Sequence, residues 1–277
     1  MFGDIIVPLD GSDQSALAVG PAGALARFLD SKVKLVGFAS PGDETEFTAW
    51  LGGQAHKLGN LDREIVVGPI GDGVAAQIGA MVAESPSALV CMSTHGRGRS
   101  ASVMGSVASE VLGEVAGPVI LLGPNYNEHQ FRCHGNLLVS LDGSHHSEAI
   151  LPVIESFAIV FGFDVTLTAV IDAKASRAAQ ASGASNGGAV VESVYVHRMA
   201  EEAHKQIERE VSWEVLHGDD PAKAILDHAE MLDATLIAMA THGTTGLRRM
   251  VTGSVTADVV RSARCPVLAI RPPELPA

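Results

Sequence analysis

Aromatic residues are scarce in this chain: Phe, Trp and Tyr together make up 4% of 277 residues. A core with few rings must be filled by aliphatic side chains, as in parallel sheets covered by helices on both faces. Cysteine is scarcer still. Cys91, Cys133 and Cys265 stand far apart with no zinc-ligand spacing and no disulfide framework, which fits a reducing, cytosolic setting. Positive charge is in deficit as well. The net charge of −13 repels polynucleotides and anionic lipid, so neither a nucleic acid nor a membrane surface is an expected partner. A small anionic ligand survives that argument, because local backbone donors outweigh a distant, screened field. Long apolar runs are missing too. No stretch reaches the roughly 18–20 uncharged apolar residues that cross a bilayer. Residues 149–163 come nearest, but Pro152 and Glu155 make them read as a buried helix. Met1, Phe2, Gly3 and Asp4 pass straight into a strand-like run without a basic leader, so a cytoplasmic protein is expected.

What the chain does hold is a second copy of itself. Leu9-Asp10-Gly11-Ser12 returns as Leu141-Asp142-Gly143-Ser144, and Thr94-His95-Gly96 returns as Thr241-His242-Gly243. Gly105-Ser106-Val107 is matched by Gly253-Ser254-Val255, and Pro118-Val119 by Pro266-Val267. Four matches in one order at nearly constant spacing mean a duplicated domain. The separation grows from 132 residues between Asp10 and Asp142 to 148 between Gly105 and Gly253. The second copy therefore holds about sixteen extra residues, most of them expected in 173–188. That run of Ala, Ser, Gly, Gln and Asn lacks an apolar period and reads as a mobile insertion.

Within each copy, short β-branched runs alternate with stretches of helical period. Strands are expected near 4–9, 32–38, 62–67, 87–92 and 118–122, then near 136–141, 163–170, 211–216, 234–239 and 266–271. Helix-like stretches such as 12–29, 73–83 and 103–115 lie between them. The alternation predicts two tandem doubly wound, Rossmann-like α/β domains, each with a five-stranded parallel sheet. Their expected spans are 1–124 and 135–277, joined by a polar, turn-rich linker at 125–134.

Doubly wound sheets bind ligands beyond the carboxyl ends of their strands, near the reversal of strand order. Asp10 and Asp142 close the first strand of their copies. Each carboxylate can accept hydrogen bonds from ribose hydroxyls or an adenine amine; alternatively, each caps the following helix. The second feature is the glycine-rich segment after the fourth strand. In copy two it runs from Ala240 and Thr241 through Gly243 to Gly253 and Ser254. Small residues let backbone amides approach an anion, and the helix expected to start at Gly253 and Ser254 offers unpaired N–H groups and a positive dipole end. Hydroxyls of Thr241, Ser254 and Thr256 can add contacts. Arg248 and Arg249, like Arg97 and Arg99 in copy one, put positive charge beside the loop. His95 and His242 can donate to a phosphate or fix the loop through its backbone.

These motifs resemble the universal stress protein family, over nearly the whole chain and as a tandem pair. ATP-binding members of that family carry a Gly, two residues, a second Gly, nine residues, then Gly-Ser or Gly-Thr. In copy two, Gly243 takes the second Gly, nine residues follow, and Gly253-Ser254-Val255 close the pattern, with Ala240 in place of the first Gly. Asp142 matches the family's ribose-binding Asp, and Val170 matches the position whose backbone meets adenine. Copy one departs further. Ser93 stands at the first Gly, and only eight residues separate Gly96 from Gly105. Asp10, Phe38, Gly96, Gly105 and Ser106 still hold matching positions. The resemblance implies an adenine nucleotide, ATP with or without Mg²⁺, bound in at least the second copy, and a stress-response role. It also implies an intramolecular pseudo-dimer paired through the final strands, 118–122 and 266–271, with homodimers of the whole chain as a further option.

Other motifs carry less. Gly71-Asp72-Gly73-Val74-Ala75-Ala76 fits a dinucleotide fingerprint but follows the third strand, so it reads as a helix start. No G-x-x-x-x-G-K-[ST] occurs, and P-loop phosphoryl transfer therefore lacks its lysine. His145 and His146 are adjacent and would need further ligands to hold a metal. Ser254, His242 and Asp142 can be written as a triad, but no strained elbow supports it. With no positioned base and no magnesium carboxylate cluster, slow ATP hydrolysis is the enzymatic alternative. A ligand-free interaction module is the other; the shortened copy-one loop favours it and the intact copy-two spacing opposes it.

Overall fold

The protein is seen in a computed structural model that describes residues 2–70, 73–85, 87–96, 104–172, 187–241 and 254–272. In the first half, strands β1 (Ile5–Leu9), β2 (Val33–Ala39), β3 (Arg63–Pro69), β4 (Leu89–Ser93) and β5 (Val119–Leu122) alternate with helices. These are α1 (Asp13–Ala16), α2 (Val19–Leu29), α3 (Glu44–His56), α4 (Val74–Glu84) and α5 (Ser106–Glu114). The second half repeats the order with β6 (Asn136–Leu141), β7 (Asp164–Asp172), β8 (Val211–Gly218), β9 (Ala234–Ala240) and β10 (Val267–Ile270). Its helices are α6 (His145–Glu148), α7 (Leu151–Phe161), α8 (Gly187–Ile207), α9 (Pro221–Met231) and α10 (Ser254–Ser262).

Each expected strand is present with its ends moved by at most two residues. The helix expected over 12–29 is instead two helices that meet at Leu17 and Ala18. Of the run 173–188, residues 173–186 lie outside the described residues, while Gly187 and Gly188 begin α8. That helix has 21 residues against 13 in α3, so part of the excess length is helical rather than loop.

The ten strands form one sheet in the order β3-β2-β1-β4-β5-β10-β9-β6-β7-β8. Within each half all pairings are parallel, and the halves meet where β5 and β10 pair antiparallel, with Leu268 opposite Ile120. The expected pairing of the final strands is therefore observed. Because the junction is antiparallel, the carboxyl ends of the two parallel sets point to opposite edges of the sheet. Register is copied with the sequence: Ile5 pairs with Val33 and Leu137 with Val165, each partner displaced by 132 residues. Burial follows position. β1, β4, β5, β9 and β10 are buried at every residue, as strands covered on both faces must be, whereas the edge strand β3 has no fully buried residue.

One position breaks the copying. Pro8 in β1 has no N–H to give to a neighbour, and β1 is registered against β4 only at Ile5 and Ile6. In the second half Ser140 takes that place, and the ladder from β6 to β9 continues through Ser140 opposite Met239. The strands of the first half thus part earlier at their carboxyl ends.

Each face of the sheet has a single core shared by both halves. One core joins α2, α3, α7 and α8, and the other joins α4, α5, α9 and α10. The few rings gather where the halves meet on the first face. Phe2 packs edge-on to Phe157 with centroids 4.7 Å apart, and Phe28 lies 5.0 Å from Phe161. Segment 125–134 is tied down as well. Tyr126, Phe131 and Cys133 pack against the first core, and Asn127 N donates to Arg264 O at 2.8 Å.

Candidate functional site

The same turn closes both first strands. Gly11 and Gly143 adopt φ of 84° and 80°, a left-handed conformation that other L residues avoid. That turn brings the next serine back onto the carboxylate. Ser12 N and Oγ donate to Asp10 Oδ1 at 2.9 and 2.6 Å, and Ser144 N and Oγ donate to Asp142 Oδ1 at 3.1 and 2.6 Å. The helix caps are the serines. Ser12 Oγ accepts from Ser15 N at 3.0 Å and Ser144 Oγ accepts from Ser147 N at 3.1 Å. The reading of Asp10 and Asp142 as caps is therefore corrected: each is the acceptor that shapes the turn, and each is exposed at a strand end. Asp10 N and Asp142 N are held in turn by Ser15 Oγ at 3.3 Å and Ser147 Oγ at 3.2 Å.

In the first half this turn borders a cavity of about 370 Å³. Asp10, Phe38, Gly96, Gly105 and Ser106, chosen from four separate segments, all line it. The cavity lies at the carboxyl ends of β1 and β4, where the strand order reverses and where Pro8 ends the ladder. Gly96 presses on the carboxylate so closely that a Cβ added there would sit 1.9 Å from Asp10 Oδ2. Gly105 N donates to Thr94 O at 2.9 Å and brings the start of α5 against the end of β4. His95 is buried with Nδ1 2.8 Å from Thr94 Oγ1, and Thr94 N donates to Leu122 O at 2.9 Å.

Sequence reasoning missed the apolar wall. Ile70, Val74, Met92 and Val107 line the same cavity, and in a linear reading they pass for core residues. Exposure was the available clue. Ile70 is 58% exposed and Val107 37%, which is unusual for branched aliphatics.

In the second half, Asp142 ends β6, Val170 lies near the end of β7, and Ala240 ends β9 beside Thr241. Thr241 N donates to Ile270 O at 2.8 Å, just as Thr94 N donates to Leu122 O. Ser254, Val255 and Thr256 open α10, and the buried Thr256 Oγ1 donates to Ala240 O at 3.1 Å, so this hydroxyl ties α10 to the end of β9. His242, Gly243, Arg248, Arg249 and Gly253 lie outside the described residues, as do Arg97 and Arg99. Among the described residues no group of three or more His, Cys, Asp or Glu side chains could hold a metal ion, and no helix is long and apolar enough to cross a membrane. His145 Nδ1 is engaged by Glu148 Oε2 at 2.9 Å. Burial pushes the thiols of Cys91 and Cys265 up to about 12 and that of Cys133 up to about 11, which keeps all three protonated at neutral pH.

Comparison with known proteins agrees with this layout. Residues 134–271 match the model of the Universal stress protein family. A universal stress protein of Methanocaldococcus jannaschii is 43% identical over 79 residues, 28% of this chain and 44% of that protein. One of Mycobacterium tuberculosis is 27% identical over 256 residues, covering 83% of this chain and 76% of the relative. The chain spans less than half the length of the M. jannaschii and Bacillus subtilis relatives that it matches. Among solved structures, a universal stress protein from Archaeoglobus fulgidus superposes with a TM-score of 0.66 at 17% identity, over 97% of this chain and 98% of that one. That likeness speaks for the tandem fold.

Proposed function

Because the chain belongs to the universal stress protein family, we propose that it binds an adenine nucleotide, ATP with or without Mg²⁺, as a regulatory ligand in a cytoplasmic stress response. The observation that carries this reading is the convergence of Asp10, Phe38, Gly96, Gly105 and Ser106 on one cavity. Its volume lies at the small end of the range that holds small-molecule ligands, about 300–1,000 Å³. Asp10, steadied on one oxygen by Ser12, would accept ribose hydroxyls. Phe38, Ile70 and Val107 would face the base, and the amides that open α5 would meet phosphate. The second half has the same turn at Asp142 and the unshortened spacing from Gly243 to Gly253, which supports it as the fuller of two sites. In this reading 1–124 and 135–277 are two binding units joined by 125–134.

The test is calorimetric titration of the full chain with Mg-ATP beside Gly253→Val, which sets a β-branched side chain where the phosphates are proposed to lie. We expect saturable binding by the wild type and loss of the second-half share in the variant, with its melting curve unchanged. Equal binding by both proteins would remove the second-half loop from the account, and no binding by the wild type would remove the nucleotide.

A further inference from the structure

The turn after β6 and helix α8 share a polar cluster that has no counterpart in the first half. The 148-residue offset that carries Arg63 of β3 to Val211 of β8 sets Phe47 of α3 against Tyr195 of α8. In the first half this place is apolar: Phe47 stacks on Trp50 with centroids 5.8 Å apart, and the α1 residue that matches Glu148 is Ala16. In the second half the ring of Tyr195 packs against the core on the same face, but it carries a hydroxyl. That oxygen is buried and makes no hydrogen bond of regular geometry, although Glu148 and Ser147 stand beside it and Asp142 lies beyond. Burial and the nearby Glu148 and Asp142 carboxylates push its ionisation up, so it stays a protonated donor. Both neighbours belong to the ligand turn. Glu148 Oε2 is held on its other side by His145 Nδ1 at 2.9 Å, and Ser147 Oγ accepts from the Asp142 amide at 3.2 Å.

A buried donor with acceptors beside it has much to gain from a small shift, because a hydrogen bond made in apolar surroundings is strong and one left unmade is costly. We propose that Tyr195 is a positioning residue that couples helix α8 to occupancy of the second-half nucleotide site, through Ser147, Glu148 and the Asp142 turn. The inference rests on the reading of that site given above. Ligand hydroxyls that engage the Asp142 carboxylate draw the turn from Asp142 to Glu148 by tenths of an ångström, and Tyr195 Oη then completes its bond to Glu148 or Ser147. Helix α8 directly follows 173–186 and holds part of the length that the first half lacks, so the linkage delivers occupancy to the part of the molecule where the two halves differ most in length. By reciprocity, whatever steadies α8 also raises affinity at Asp142.

Tyr195→Phe is the informative change, since the first half already carries Phe at this place. Hydrogen exchange of the full chain is followed with and without Mg-ATP, beside nucleotide affinity and the melting temperature without ligand. We expect ATP to slow exchange in α8 of the wild type and Tyr195→Phe to abolish that slowing. Second-half affinity should fall about fivefold, the worth of one net hydrogen bond. Melting without ligand should be unchanged or slightly raised, because an unbonded buried hydroxyl has been removed. A variant that responds to ATP as the wild type does overturns the coupling. So does one that merely melts earlier with its ligand response intact. ATP binding without any slowing in wild-type α8 overturns the coupling and leaves the site standing, whereas no ATP binding at all takes both.

Discussion

Pro8 and Ser140 hold the same place in the first strands of the two halves, and the strands around them part differently. β1 separates from β4 after Ile6, whereas β6 stays paired with β9 through Ser140. A few residues away the turns at Asp10 and Asp142 are the same to within about 0.2 Å in every side-chain bond that defines them. The walls then diverge again. Phe38, which lines the first-half cavity, is replaced by Val170 at the matching place of the second half. The pattern teaches that the duplicated part is the device that presents a carboxylate at a strand end. It rests on local bonds among one Asp and two Ser that lie close in sequence, so it survives changes in the walls.

The most damaging change should test whether the halves stand or fall together. Phe157 is fully buried in the aromatic seam, and Phe157→Ala should cost about 3–5 kcal/mol. Trp50 reports on the first half and Trp213 on the second. In single-tryptophan versions both denaturation midpoints should fall together, and a fall confined to Trp213 would show two independent domains. Next in size are Asp10→Asn and Asp142→Asn. The amide oxygen can still accept from Ser12 or Ser144, so the turn is kept while the charge is lost. Each change should weaken ATP binding in its own half about 10–100-fold, the worth of a hydrogen bond to a charged group. Equal weakening of both halves by either change would contradict two separate sites.

Pro8→Ser aims at the difference itself. With an N–H restored, the ladder to β4 should lengthen, exchange at Ser93 should slow, and first-half affinity should fall about fivefold. Unaltered exchange there would mean that the proline does not open the cavity. The smallest effect concerns the thiols. Folding raises Cys91 and Cys265 from about 9 to about 12 and Cys133 to about 11, so the folded state favours the protonated thiol. Their contribution is fully present below pH 9 and is lost as pH rises from 9 towards 12. Urea midpoints should decline over that range, and Cys91→Ala with Cys265→Ala should flatten the decline.

The repeat made most of the fold legible. Every strand announced itself because β-branched runs covered on both faces leave little else to read, and the pairing of the final strands followed from the resemblance. Three features were hidden. The capping of α1 by Ser12 and of α6 by Ser144 was hidden, because spacing does not decide between an Asp and a Ser two residues apart. The apolar wall of Ile70, Val74, Met92 and Val107 was hidden because a residue facing a cavity and one facing a helix look alike in sequence. Tyr195 was hidden because its significance depends on a helix that follows the longest mismatch between the copies, where alignment by motif gives no anchor. The second-half loop from His242 to Gly253 remains a reading of spacing, motif and resemblance.

The most direct test of a nucleotide role is to denature freshly purified protein, identify any released nucleotide by chromatography and mass spectrometry, and count equivalents per chain. The account predicts ATP or another adenine nucleotide at about one equivalent if only the second half is filled, and about two if both are. Protein that releases none, and that then fails to bind added Mg-ATP, would contradict it.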